Sequence, residues 1–161
     1  MNEQFLNAKD IASLRISNGI GTDITVGLPR THKWHKTPNP NLDEFYTIAD
    51  RQKVNGYLHI EKIAWQNQII KDAHIQFEHG KVVGYGASSN RDLLIDIVEP
   101  DSGNCYVKEV LIGHHCQLIL SETQDPSIRK YLNIGSKGVQ IFMSAGPWNM
   151  GAFDDDIEAI G

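Results

Sequence analysis

Polar and apolar residues alternate over residues 56–65, where Tyr57, His59 and Lys62 are interleaved with Leu58, Ile60 and Ile63. A period of two predicts a half-buried strand. Asn67-Gln68 then reads as a turn. Residues 69–78 and 81–87 flank His79-Gly80, where Gly80 is free to adopt a positive φ, so the pair predicts a β-hairpin. Upstream, Thr-Asp-Ile-Thr-Val-Gly-Leu at 22–28 favours a strand, and Ile11, Leu14 and Ile16 suit a short helix or an edge strand. Residues 29–42 hold Pro29, Pro38 and Pro40 and predict a long loop. Residues 90–98 predict the clearest helix, with Ser88, Ser89 or Asn90 as its cap and Pro100 closing it. A strand or helix over 106–112, a strand over 117–120, a helical turn over 126–132 and a strand over 139–144 follow. There is no repeat and no low-complexity segment. The expected fold is therefore α+β: one domain over residues 1–161, with a mixed, mostly antiparallel β-sheet or partial barrel and a few short helices.

Composition narrows the class without changing the fold. The 161 residues are 40% hydrophobic and 22% charged, which suits a globular domain with a full core. No apolar run approaches the roughly 18 residues of a membrane span, so no membrane partner is expected. The start, MNEQFLNAKD, has no basic segment followed by an apolar one, and no secretory signal is expected. Cys105 and Cys116 are the only cysteines and read as reduced thiols of a cytoplasmic protein. A net charge of −5, much of it at Asp154, Asp155, Asp156 and Glu158, argues against a nucleic-acid partner.

Hydrolysis at a metal needs three to five His, Asp or Glu side chains converging on one point, with a position left for water. Asp43 and Glu44 follow the proline loop; Glu109 lies in an apolar stretch, where a buried carboxylate must find a partner. A distant Arg or Lys would satisfy that need structurally. His114 and His115, read as strand neighbours, would face opposite ways, so at most one joins a given site. The loop group His32, Lys33, Trp34, His35 and Lys36 is a second candidate, because loops often carry function; its plain alternative is a Trp plugging the edge of the core. His74 and His79 read as strand-surface residues. Gly84-Tyr85-Gly86 is too short for a phosphate-binding loop, and there is no CxxC.

Several segments, taken in order over most of residues 21–113, resemble one family. GTDITVGLP at 21–29 is similar to the GTDLT-type strand of the thermophilic, aminopeptidase T-type (M29) metallo-aminopeptidases. NPNLDEFYT at 39–47 resembles their N-x-P-x-E-E-V-F-T segment, and residues 75–83, with FEHGKVV, resemble the stretch ending F-x-x-G-K-V-V. Asp101-Ser102-Gly103 with Lys108-Glu109-Val110 resembles their D-E-G-A…G-E-V segment, and related dihydroxypyridine dioxygenases share the same half-chain. The resemblance covers the second half of such enzymes, and their amino-terminal domain is expected to be absent.

The resemblance implies an uneven site. Asp43 or Glu44, and Glu109, map onto metal-binding carboxylates. Gln140 stands where a ligand His is expected, Pro147 where a second His is expected, and Asn149 where an Asp is expected; Asp156 to Gly161 resembles the family's D-I-D-G ending. Neutral amides and proline are poor metal donors, so the resemblance implies no cofactor and no catalysis. It implies a pocket lined by Trp34, His35, Glu44, Tyr46, Glu109, His115, Gln140 and Trp148, with Glu44 and Glu109 as the only residual metal ligands. The expected function is a non-catalytic peptide-binding protein. It is similar to accessory proteins of crocagin-type ribosomal peptide biosynthesis, which bind a precursor peptide. The alternative is a divalent-metal-dependent aminopeptidase or ring-cleaving dioxygenase with a rearranged site, for example Glu44, Glu109 and His114 or His115. A homodimer is expected under each reading, because small sheets must cover their edges.

Overall fold

A computed structural model describes residues 2–99, 105–135 and 138–145, together with the backbone of residues 156–160. The chain runs α1 (Glu3–Ala8), β1 (Ser13–Ser17), β2 (Asp23–Gly27), β3 (His35–Lys36), β4 (Glu44–Ile48), β5 (Val54–Trp65), β6 (Gln68–Glu78) and β7 (Lys81–Gly86). Then come α2 (Arg91–Val98), β8 (Cys105–Gly113), β9 (Cys116–Glu122), β10 (Arg129–Gly135), β11 (Gln140–Ser144) and β12 (Asp156–Ile160). The strands form two open sheets, ordered β12-β11-β1-β2-β5-β6-β7 and β10-β9-β8-β4-β3, and every strand pairing is antiparallel. The α+β class with few short helices holds, and neither sheet closes into a barrel. No helix of the described residues is long and apolar enough to cross a membrane.

Strand alternation builds one core. Leu14 and Ile16, Ile24 and Val26, Leu58 and Ile60, and Ile75 and Phe77 are buried on one sheet. Phe45, Val110, Ile112, Leu118, Leu120 and Leu132 are buried on the other, and all belong to the same cluster. The hairpin of β6 and β7 turns at His79-Gly80, both with positive φ. Burial also governs the thiols: it pushes Cys105 up to about 11 and Cys116 up to about 12. Neither thiol should therefore react with a thiol reagent at pH 8 until denaturant opens the fold, since only the thiolate is nucleophilic. Prompt labelling of the native protein would contradict this packing.

Several sequence expectations change. Residues 11–16 supply β1, which is no edge strand: it lies between β11 and β2. The expected helical turn over 126–132 is a turn followed by β10, with Lys130, Leu132 and Ile134 buried and Arg129, Tyr131 and Asn133 exposed. Its period of two was hidden by a lysine at a core position. Lys130 Nζ lies 3.4 Å from Glu122 Oε2 and donates to the carbonyls of Asp96 and Ile97 at the end of α2. Asn90 stands at the start of α2 but does not cap it. It adopts the left-handed region and donates its amide to the carbonyl of Ile69 instead. Pro100 lies outside the described residues. His114 and His115 are not strand residues; they connect β8 to β9.

Candidate functional site

The five-stranded sheet presents one face to the core and the other outward. Phe45 and Thr47 on β4 are buried, so Glu44, Tyr46 and Ile48 point outward. Pairing extends that face across the sheet. His35 lies opposite Tyr46, Tyr46 opposite Leu111, and Leu111 opposite Gln117. Glu44 lies opposite Gly113, while Ile48 lies opposite Glu109, which lies opposite Ile119.

Two carboxylates sit on this face in different states. Glu44 is 8% exposed. Its Oε2 accepts the backbone N–H of His115 at 3.2 Å and lies 3.1 Å from His115 Nδ1. A carboxylate can only accept, so Nδ1 is the donor in this contact. The His115 side chain is 37% exposed, and the His114 ring meets it edge-on at 4.5 Å. Next along the face the His35 ring rests against Tyr46, with centroids 5.5 Å apart. Glu109, 5% exposed, is matched by Arg129 of β10, whose Nη1 is 2.8 Å from Oε1 without hydrogen-bond alignment. That is the structural role weighed for Glu109: a distant arginine offsets the cost of burying its charge.

The expected residues therefore separate. His35, Glu44, Tyr46 and His115 come together. Glu109 shares their face but not their place. The register puts four residue steps between it and Glu44, roughly 13 Å along the strands. Each carboxylate is engaged by its own partner, Glu44 by His115 and Glu109 by Arg129. Gln140 belongs to the seven-stranded sheet and is exposed beside buried Ile141, so the core lies between it and Glu44. Trp34 is 1% exposed and takes the plain reading, a core plug. Asn7 fixes it there: its side chain accepts the Trp34 N–H at 2.8 Å and donates to the Trp34 carbonyl at 3.1 Å. Pro147, Trp148 and Asn149 lie outside the described residues. Arg129 was missed, because its segment was read as helical.

The fold defines the class. Over 88% of this chain and 48% of the other, the structure matches wild-type AmpT from Thermus thermophilus with a TM-score of 0.76 at 17% identity. It also matches the 2,5-dihydroxypyridine dioxygenase of Pseudomonas putida KT2440, over 88% of this chain and 55% of that one, at a TM-score of 0.60 and 13% identity. Those likenesses show that this chain shares the fold of about half of each of those two chains. Residues 1–123 match the thermophilic metalloprotease (M29) family, and the chain belongs to that family. It is 32% identical over 120 residues to aminopeptidase T of Thermus aquaticus, covering 67% of this chain and 29% of that protein. It is 29% identical over 119 residues to aminopeptidase AmpS of Bacillus subtilis, covering 66% and 29%. The chain thus spans less than a third of the length of these curated relatives.

The family's name implies a metal, and the described residues do not fit one. Among them no group of three His, Cys, Asp or Glu side chains is placed to hold an ion. Glu44 and His115 supply two donors, and Glu109 is occupied by Arg129.

Proposed function

We propose that this chain binds a peptide without cleaving it, on the outward face of the five-stranded sheet. The observation that carries the reading is the Glu44–His115 pair. A carboxylate held by a backbone amide and an imidazole opens onto an aromatic and aliphatic surface formed by His35, Tyr46, Ile48 and Leu111. Such a carboxylate suits a cationic group, of which a peptide amino terminus is the simplest, and the adjoining surface suits extended apolar residues. The relatives are aminopeptidases, which supports a peptide as ligand; two donors rather than a converging set among the described residues support recognition without hydrolysis. The peptide in this proposal is the precursor of a ribosomally made, modified product.

Calorimetry with hydrophobic peptides tests it. A peptide with a free amino terminus should bind about tenfold more tightly than its acetylated form, the scale of one charge-assisted hydrogen bond. Glu44→Gln should erase that difference while leaving the melting temperature close to that of the wild type. Equal binding of both peptides would sink the assignment of Glu44. A stoichiometric transition metal in the purified protein, with turnover of an aminoacyl substrate, would replace the reading with that of an enzyme.

A further inference from the structure

The seven-stranded sheet has an outward face of its own, on the far side of the core from Glu44. A cavity of about 400 Å³ opens there over β5, β6 and β7. Pairing lays out two rows beneath it: Tyr57 opposite Gln76 opposite Gly84, and His59 opposite His74 opposite Gly86. Beside these rows the buried residues of β6 are Ala73, Ile75 and Phe77, with Ile70 buried further along, so the rows point away from the core. Tyr57 is 55% exposed. The His74 ring lies flat against His59 at 4.3 Å, with the planes 6° apart, so it stacks on its strand neighbour. Tyr85 does not wall the cavity with its ring: it pairs with Ile75, and its hydroxyl donates to Glu99 at 2.8 Å.

The floor needs a reason. Glycine inside a strand costs stability and usually marks a turn, a bulge, or the close approach of something else. Neither Gly84 nor Gly86 has a positive φ. A Cβ on Gly86 would meet nothing within 4 Å, and one on Gly84 would meet only the Gln76 side chain at 3.5 Å. Gly84 sits where the pairing with β6 slips by one residue, a bulge that accounts for it, and Gly86 ends β7, where neither backbone conformation nor crowding demands a glycine. The cavity thus has a flat floor of β7 peptide planes, bordered on β6 by Gln76 and His74, with the Tyr57 phenol beyond them on β5. Among the described residues no Asp, Glu, Lys or Arg lines the cavity.

We propose that this cavity binds an uncharged planar ring, of the size of an indole, laid over Gly84 and Gly86 against Gln76 and His74, with Tyr57 at its far wall on β5. The flat lining selects for planarity and the absence of fixed charge against anions and cations. The amide of Gln76 and the hydroxyl of Tyr57, 3.4 Å apart, offer hydrogen bonds to a ring N–H or carbonyl. This site does not depend on the peptide site across the core.

The test is an NMR titration of the full chain with N-acetyl-tryptophan amide, with N-acetyl-leucine amide as the non-planar control. Saturable shifts centred on Tyr57, His74, Gly84 and Gly86 are expected with the indole and not with leucine. Gly86→Val fills the floor without strain and should weaken binding at least tenfold, with a melting temperature no lower than that of the wild type. Tyr57→Ala, at an exposed position, should weaken it severalfold and serves if the valine variant does not fold. Equal shifts with leucine, shifts centred elsewhere, no saturable shift, or undiminished binding in the variant that folds would each overturn the assignment.

Discussion

Lys130→Met is expected to be among the most destabilising single changes in this chain, costing about 3–5 kcal/mol. The ammonium is buried, with its side chain and that of Glu122 each 6% exposed. It meets the carboxylate at 3.4 Å and two α2 carbonyls, of Asp96 and Ile97, at 3.0 and 3.1 Å. A cation at a helix C-terminus also complements the helix dipole. Methionine keeps the aliphatic stem but removes the charge and the donors, so the buried Glu122 carboxylate and the two α2 carbonyls lose the ammonium they meet. For a chain of this size the melting temperature should fall by about 10 °C or more. The double variant Lys130→Met/Glu122→Leu separates the causes. Replacing both charges removes the buried carboxylate together with its cation, so it should recover part of the loss. A single variant melting within a degree or two of the wild type would contradict this packing.

Gly113→Ala is expected to damage stability and the candidate site together. Gly113 has φ +126, and a Cβ there would stand 2.0 Å from the carbonyl oxygen of Asp43 and 3.0 Å from Glu44 Cα. The backbone conformation alone costs about 1–3 kcal/mol for a residue with a side chain. The contact cannot be relieved by a side-chain rotation, because the crowding atoms are backbone. β4 and β8 must part where Glu44 meets its neighbour. Urea unfolding should show a lower midpoint, and the preference for a free peptide amino terminus should be lost even where the variant remains folded. A wild-type midpoint with intact peptide preference would show that the two strands do not approach this closely.

These two positions also show what the sequence could and could not display. The β6–β7 hairpin was legible because alternation and a turn glycine agree, and α2 because a helical run follows polar residues. β10 was not, because Lys130 occupies a core position and breaks the apolar pattern that reveals a strand. α1 was not, because only Leu6 of its six residues is buried. Trp34 could have been a ligand contact or a core plug; the Asn7 clamp across 27 residues decided it, and nothing local encodes that partner. That Glu44 and Glu109 lie on one face followed from neither motif alone. Their separation depends on strand register, which is fixed by pairing over long distances. His115 found Glu44 because both flank the same strand pair, whereas Gln140 went to the other sheet.

The pairing of β1 with β11 sets Leu14 against Met143, so a strand in the middle of the larger sheet waits for a partner far along the chain. During synthesis, β1, β2, β5, β6 and β7 can form a meander with one flank of β1 open. Distant contacts of this kind slow folding, since the chain must close a long loop before the contact repays it. The open flank of β1 is then a template for strands of other molecules. Refolding is therefore expected to be slow and sensitive to protein concentration, and removing β11 should yield aggregates rather than a smaller soluble domain.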